Sequence, residues 1–344
     1  MTVQFGSSDA FLNVFHQKLN RIVVSIMVVS YCAGIAYRAA VCCFFILVGT
    51  YSQANADSLL NAGHKDVTIV LSERNDFYED FGNTLDRLLT GTNISHRVID
   101  ATQPISEPGL VIAVGLKAAT VVASSNAPAV INVLISKSSH EKLLRDFPAR
   151  AGSPSMSAIY LNQPVQRQAH LITAIFPGKH NVGLLYSTPS KEIDEIRQVF
   201  RDHSLMLLEQ KIDQTQTLPM ALQELFQGRS EMLFTLPDSG IYNDLTIRNI
   251  LVATYRRGIP LIGLSAAYVK AGAICAIFST PTQIAVQTAK LILKFNETHI
   301  LPTPQFPREF EVLVNVQVAN SLGLQVKDAS AIHDEIDHAM TEIP

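Results

Sequence analysis

The sequence predicts an α/β protein made of two similar lobes, each a doubly wound, mostly parallel sheet flanked by helices, with a hinge and a cleft between them. Three observations carry this expectation. From residue 64 onward, short apolar runs alternate with amphipathic stretches of helical period, the pattern that strand–helix–strand units impose on a chain. The whole series then occurs a second time in the same order. Finally, the fourth strand of each copy follows a proline, Pro128 or Pro260, placed where the missing N–H is tolerated.

The elements pair off along the chain. The run 65–72 (KDVTIVLS) precedes a helix with Phe77, Tyr78, Phe81, Leu85, Leu88 and Leu89 at helical spacing, and is answered by 180–187 (HNVGLLYS) and a helix with Ile193, Ile196, Val199 and Phe200. In the second copy Thr188-Pro189 reads as an N-cap followed by proline at the first helical position. Second strands fall at 96–99 and 206–212, third strands at 110–114 and 232–236, and fourth strands at 129–134 and 261–264. A fifth pair is 157–161 (SAIYL) and 273–278 (AICAIF), followed by helices opening at Gln163-Pro164 and at Thr280-Pro281-Thr282-Gln283, the latter fitting a capping box.

This repeat sets the expected organisation: a first lobe over 57–156, a second over 157–265, and crossover segments over 266–325 that complete both, followed by a polar tail at 326–344. The loop-rich stretch 149–154 (ARAGSP) serves as the first crossover. More than one crossing prevents the lobes from separating freely, so hinge closure is the expected motion.

Residues 1–56 do not resemble the rest. Apolar runs at 22–37 and 39–48 are split by Arg38, and Gln53-Ala54-Asn55-Ala56 offers the small-x-small pattern of a signal-peptide cleavage site. Cleavage after Ala56 is expected, with translation starting at Met1 or at Met27. The alternative is an uncleaved membrane anchor through 22–48, with Arg38 as a costly interruption. Either reading places the lobes outside the cytoplasm. Three of the four cysteines lie in this segment, which leaves Cys275 unable to form an intramolecular disulfide in the mature chain.

Composition narrows the function. Across 344 residues, 47% are hydrophobic and 17% charged, which excludes a disordered chain. With 27 Lys+Arg against 30 Asp+Glu, the net charge of -3 gives no electrostatic footprint for nucleic acid.

Several segments resemble a known family. They are 159–187 (IYLNQPVQRQAHLITAIFPGKHNVGLLYS), 235–265 (TLPDSGIYNDLTIRNILVATYRRGIPLIGLS) and 267–289 (AYVKAGAICAIFSTPTQIAVQTA), with 314–324 (VNVQVANSLGL) as a closing strand–helix. Together they resemble the substrate-binding proteins of ABC transporters, in the family that includes tryptophan-binding members, over about residues 64–325. The resemblance implies a type I periplasmic-binding-protein fold and a non-enzymatic role in the periplasm. A monomer there would capture a small molecule and deliver it to an inner-membrane ABC permease, without cofactor or metal.

The topology turns the loops at the carboxyl ends of strands 1, 3 and 4 of each lobe toward the cleft. The ligand-binding candidates of the first lobe are Ser72, Asn75, Phe77 and Tyr78 after strand 1, Lys117 after strand 3, and Ser136 after strand 4. The second lobe offers Tyr186 and Thr188, then Asp238, Ser239 and Tyr242, then Ser265 and Tyr268. Hydroxyls, rings and a few charges suit a small amino-acid-like or aromatic ligand. Asp238 is the leading candidate, as a carboxylate that could receive a ligand ammonium or hydroxyl; its alternative is a turn or capping role beside Pro237. In the resembling family a turn residue, often proline, follows this Pro-Asp, and here Ser239 takes its place.

Other classes fit less of the chain. A membrane-tethered sensory or partner-recognition module could use the same fold. Gly263-Leu264-Ser265-Ala266-Ala267 has half of a nucleophile elbow, but Ala267 stands where the second glycine is required, and no acid and histidine follow in order. No phosphate loop or dinucleotide fingerprint is present. The tail segment 333–338 (HDEIDH) could align His333 with Asp337 and Asp334 with His338, a metal-like pattern whose plainer reading is a solvated acidic helix.

Overall fold

The computed structural model describes residues 66–105, 109–151 and 155–341, all within one unit spanning His64–Pro344. The predicted export segment and its cleavage point lie outside the described residues.

The first sheet is built by β1 (Asp66–Leu71), β2 (Ser95–Asp100), β3 (Leu110–Val114), β4 (Ala129–Ile135) and β5 (Met156–Tyr160), all parallel, in the order β2-β1-β3-β4-β5. Parallel sheets are covered on both faces, so β3 (LVIAV) and β4 (AVINVLI) are buried along their whole length. The exception in polarity is Asn132, whose Nδ2 meets His140 Nδ1 at 3.2 Å inside the lobe. Helix α1 (Asp76–Leu89) covers one face. Asn75 caps it by accepting from Tyr78 N, Asp76 and Glu79 complement its dipole, and Phe81, Leu85 and Leu89 form its buried stripe. The opposite face carries α2 (Leu116–Ala123), α3 (Lys137–Asp146) and the short α4 (Pro148–Ala151).

The second sheet runs β11-β10-β9-β8-β6-β7, from β6 (Asn181–Tyr186), β7 (Met206–Lys211), β8 (Met232–Phe234), β9 (Leu261–Gly263), β10 (Cys275–Phe278) and β11 (Glu311–Val314). Only the β10–β11 edge pair is antiparallel. One face packs α5 (Val165–Ile175) and α6 (Lys191–Asp202); the other packs α7 (Leu218–Gln227) and α8 (Ile247–Arg256). Cys275 is buried within this core. The expected α/β class, two parallel-dominated sheets interleaved with helices, is what the chain forms.

Boundaries differ from the sequence-based ones. Strand β5 stays in the first sheet, so the chain leaves that lobe after Tyr160 rather than at 156. The second sheet takes in β10, which comes from the 266–325 stretch expected to complete both lobes. Only then does α10 (Pro281–Thr298) return to the first lobe, where Ile284, Ala285, Ile292 and Phe295 pack with Phe81 and Leu85 of α1. Its predicted capping box is present: Thr280 accepts from Gln283 N while the Gln283 side chain accepts from Thr280 N. The N-cap of α6, in contrast, is Ser190 and not Thr188, because the helix starts beyond Pro189.

The tail is also not merely polar. After the short α9 (Ala266–Ala271) and α11 (Val316–Ser321), helix α12 (Ala329–Thr341) buries Ile332 and Ile336 completely in the second lobe's core. Its acidic positions face outward from that apolar stripe, whose four-residue spacing sets one face of the helix.

Candidate functional site: the interlobe cleft

Doubly wound sheets present ligands with the crevice beyond the carboxyl ends of their strands, where connections diverge to opposite faces. Here both sheets contribute such ends to one cleft of about 930 Å³. The first lobe lines it with Phe77 beyond β1, Ser136 beyond β4 and Leu161–Gln163 beyond β5. The second lobe supplies Leu236 and Pro237 beyond β8, Ser265–Ala267 beyond β9, and Phe278–Pro281 at the end of β10. The lining is largely apolar, with a few polar groups distributed around it, which is the composition of small-molecule sites.

One wall of the cleft is joined across the lobes. Asn162, just past β5, accepts from Lys137 N through Oδ1 at 2.9 Å and donates through Nδ2 to Glu192 Oε1 at 2.9 Å. It therefore ties the start of α3 to the start of α6. Beside it, Lys137 Nζ pairs with Glu195 Oε2 at 2.7 Å. Glu192 lines the cleft and is only partly exposed; burial pushes its pKa up, with nearby Lys137 opposing and Glu195 and Glu141 reinforcing the shift.

Behind the cleft the chain crosses between lobes three times, at 161–164, at 279–280 and at 306–310. The third crossing starts in register with β5, since Tyr160 N donates to Gln305 O and Gln305 N to Ala158 O, both at 2.9 Å. Arg167 on α5 gathers the strands: Nη1 donates to Gln163 Oε1 at 2.6 Å and Pro307 O at 3.1 Å, and Nη2 to Arg308 O at 3.2 Å. From the first lobe Gln287 does the same, donating to Gln305 Oε1 and Phe306 O and accepting from Arg308 N. Three crossings are thus pinned to one another by buried polar side chains.

The family model for ABC transporter substrate binding proteins matches residues 94–334. The chain belongs to that family. Its fold is shared with solved structures at low identity. A conserved domain protein from Vibrio cholerae aligns with a TM-score of 0.56 and 17% identity, over 78% of this chain and 97% of that one. The ABC domain from Streptococcus pneumoniae in complex with L-Trp gives 0.55 and 15%, over 78% and 98%. A ligand-free, open substrate binding protein with adhesive properties from Clostridium difficile gives 0.59 and 13%, over 77% and 96%. No curated protein matches the chain. Among the described residues no helix is long and apolar enough to cross a membrane, and no group of three or more His, Cys, Asp or Glu is placed to hold a metal ion.

In this substrate-binding protein the sequence-derived candidates divide. Phe77, Ser136 and Ser265 line the cleft. Phe77 is 42% exposed and meets Tyr78 edge-on at 5.7 Å. Ser136 also caps α3 by accepting from Ser139 N at 3.1 Å, whereas Ser265, at the start of α9, makes no side-chain capping bond. Other candidates serve the scaffold. Ser72 is buried and accepts from Ala118 N at 2.9 Å, closing the first turn of α2, and Asn75 caps α1. Tyr78 lies against Gly115, which has φ +85° and no room for a side chain between Ser72 Oγ and Tyr78 Oη. Lys117 and Thr188 are exposed away from the cleft lining, and Ser239 uses its carbonyl to accept from Asn243.

Asp238 is engaged by its own chain. Its Oδ2 accepts from Ser187 N and Ser187 Oγ, each at 2.7 Å, and its Oδ1 accepts from Gly240 N at 3.0 Å. The carboxylate thus ties the loop after β8 to the loop after β6, and it is not part of the cleft lining. Tyr242 is buried in the core with Leu185 and Ile250, where burial raises its pKa. Tyr186 and Tyr268 are packed against the two cores of the second lobe. The residues that sequence reasoning missed are Asn162, Glu192 and Phe278. The first sits in the crossover NQP, the second in the first turn of α6 and the third at the end of β10, so none belongs to the loops after strands 1, 3 and 4 of either lobe.

Proposed function

We propose that this protein is the extracytoplasmic solute-binding component of an ABC-type importer. A small ligand, amino-acid-like or aromatic, enters the open cleft, touches both lobes and stabilises the closed arrangement, and the closed form docks on an inner-membrane ABC permease. The protein acts as a monomer without catalysis. Segment 1–56 is its export signal, cleaved after Ala56 to release the mature chain into the periplasm.

One observation carries this reading: an apolar cleft lined from the carboxyl ends of both sheets, in a unit whose lobes are linked through three stitched crossings. Such a linkage lets the lobes rotate about the hinge while the cleft walls approach one another. Thermal unfolding of the purified protein against amino acids, sugars, nucleosides and small anions tests it, because a ligand that binds only the native state raises stability by RT ln(1 + [L]/Kd). A hit accompanied by a smaller radius of gyration in solution scattering is the expected result. No stabilising compound across that panel would overturn the reading. N-terminal sequencing of the exported protein checks the cleavage point.

A further inference from the structure

Among the described residues, four charged ones line the cleft: Asp76, Asp80, Glu192 and Lys270. Asp76, Asp80 and Lys270 are exposed at its rim, and only Glu192 is recessed. Around Glu192 the charges do not balance, since Lys137 stands against Glu141, Glu192 and Glu195, and the Lys137 ammonium is 2.7 Å from Glu195. Asn162 supplies Glu192 with one neutral donor. A carboxylate withdrawn from water and held by a neutral amide carries a desolvation cost that a cation placed beside it would relieve. The rest of the lining suits the other end of such a molecule: Phe77 and Phe278 offer rings, and Leu161, Leu236 and Leu264 offer aliphatic surface.

We propose that the cleft selects an organic cation, a small molecule whose protonated amine is received by Glu192 and whose apolar body is covered by Phe77 and Phe278. This rests on the cleft being the solute site proposed above and names the chemistry that site prefers. Glu192 is then the residue that determines specificity: its charge discriminates between ligands of equal shape, because a carboxylate on the ligand would meet an acidic wall.

A matched series tests charge at constant shape: phenethylamine as cation, phenylalanine as zwitterion and phenylacetate as anion, titrated calorimetrically into the purified full chain. Phenethylamine should bind most tightly and phenylacetate least. Glu192→Gln should weaken phenethylamine by about tenfold or more while leaving phenylacetate no weaker. Asp80→Asn at the rim should change amine affinity less, since an exposed charge is screened. Circular dichroism checks the fold of each variant. If Glu192→Gln does not fold, Glu192→Asp replaces it and should keep the order of preference at lower affinity. Phenylacetate binding as tightly as phenethylamine, or unchanged amine affinity in Glu192→Gln, would overturn the proposal. A sugar or nucleoside that binds when none of the three aryl compounds does would also overturn it while leaving the solute-binding reading intact. Failure of every compound to bind would remove both.

Discussion

Gln163 Nε2 donates to Ser279 Oγ at 2.9 Å, and through that bond the first and second crossings of the chain become one joint. Ser279 Oγ in turn donates to Glu309 O at 2.6 Å, which brings in the third. Residues 116 and 30 positions apart are thereby held together where the chain passes between the two sheets.

Arg167 should be the most sensitive point of this joint. Removing it leaves Gln163 Oε1, Pro307 O and Arg308 O without their donor and strips the guanidinium from the Phe310 ring, 4.3 Å away. Arg167→Ala is expected to lower stability by about 3 kcal/mol or more, because buried acceptors of a charged donor lose both the bond and their solvation. Urea unfolding measures this, and Arg167→Lys should recover only part, since an ammonium cannot reach all three acceptors in one plane.

Asp238→Ala should act on the scaffold. Ser187 N, Ser187 Oγ and Gly240 N lose their common acceptor, and the expected cost is about 2 kcal/mol in the absence of any ligand. Wild-type stability in this variant, measured by chemical unfolding, would show that these three bonds contribute no net stability.

Gly115→Ala tests the turn between β3 and α2. The backbone there has φ +85°, and an added Cβ would stand 2.6 Å from Ser72 Oγ and 2.7 Å from Tyr78 Oη. Both the left-handed conformation and the close approach oppose a side chain, so a loss of about 2 kcal/mol or more is expected in thermal unfolding.

Stability should also fall on the acid side through His140. This histidine is 1% exposed, beside Asn132 and with its ring 5.9 Å from Tyr160, and burial lowers its pKa to about 4. The unfolded chain takes up the proton below about pH 6.5 while the native state refuses it until about 4, so the contribution is fully present above pH 6.5 and lost through that window. Its size is at most about 3 kcal/mol. His140→Leu should flatten this part of a pH–stability profile; an unchanged slope would show that other groups produce it.

Local pattern and long-range position can be separated residue by residue. Thr280 and Gln283 were legible as a capping box because both partners sit within one turn, and β3 was legible to its ends because a parallel strand buried on both faces is a continuous apolar run. The cap of α6 is not legible to within two residues, since Thr188 and Ser190 are equally good caps and only packing decides where the helix starts. Helix α12 reads as polar because two isoleucines among charged neighbours give a narrow stripe, which the second lobe's core nevertheless buries.

The sequence by itself therefore determined the succession of strands and helices, their duplication, the cleft at the strand ends and the family, because these depend on periodicity and on motifs read along the chain. Tertiary structure decided which polar groups face the cleft. Asp238 meets Ser187, 51 positions earlier, and Glu192 meets Asn162, 30 positions earlier, so one carboxylate is spent within the scaffold while the other is left lining the site. A side chain's partner is fixed by distance through space, and that distance is set by how the sheets twist and the crossings pack, which no local pattern encodes.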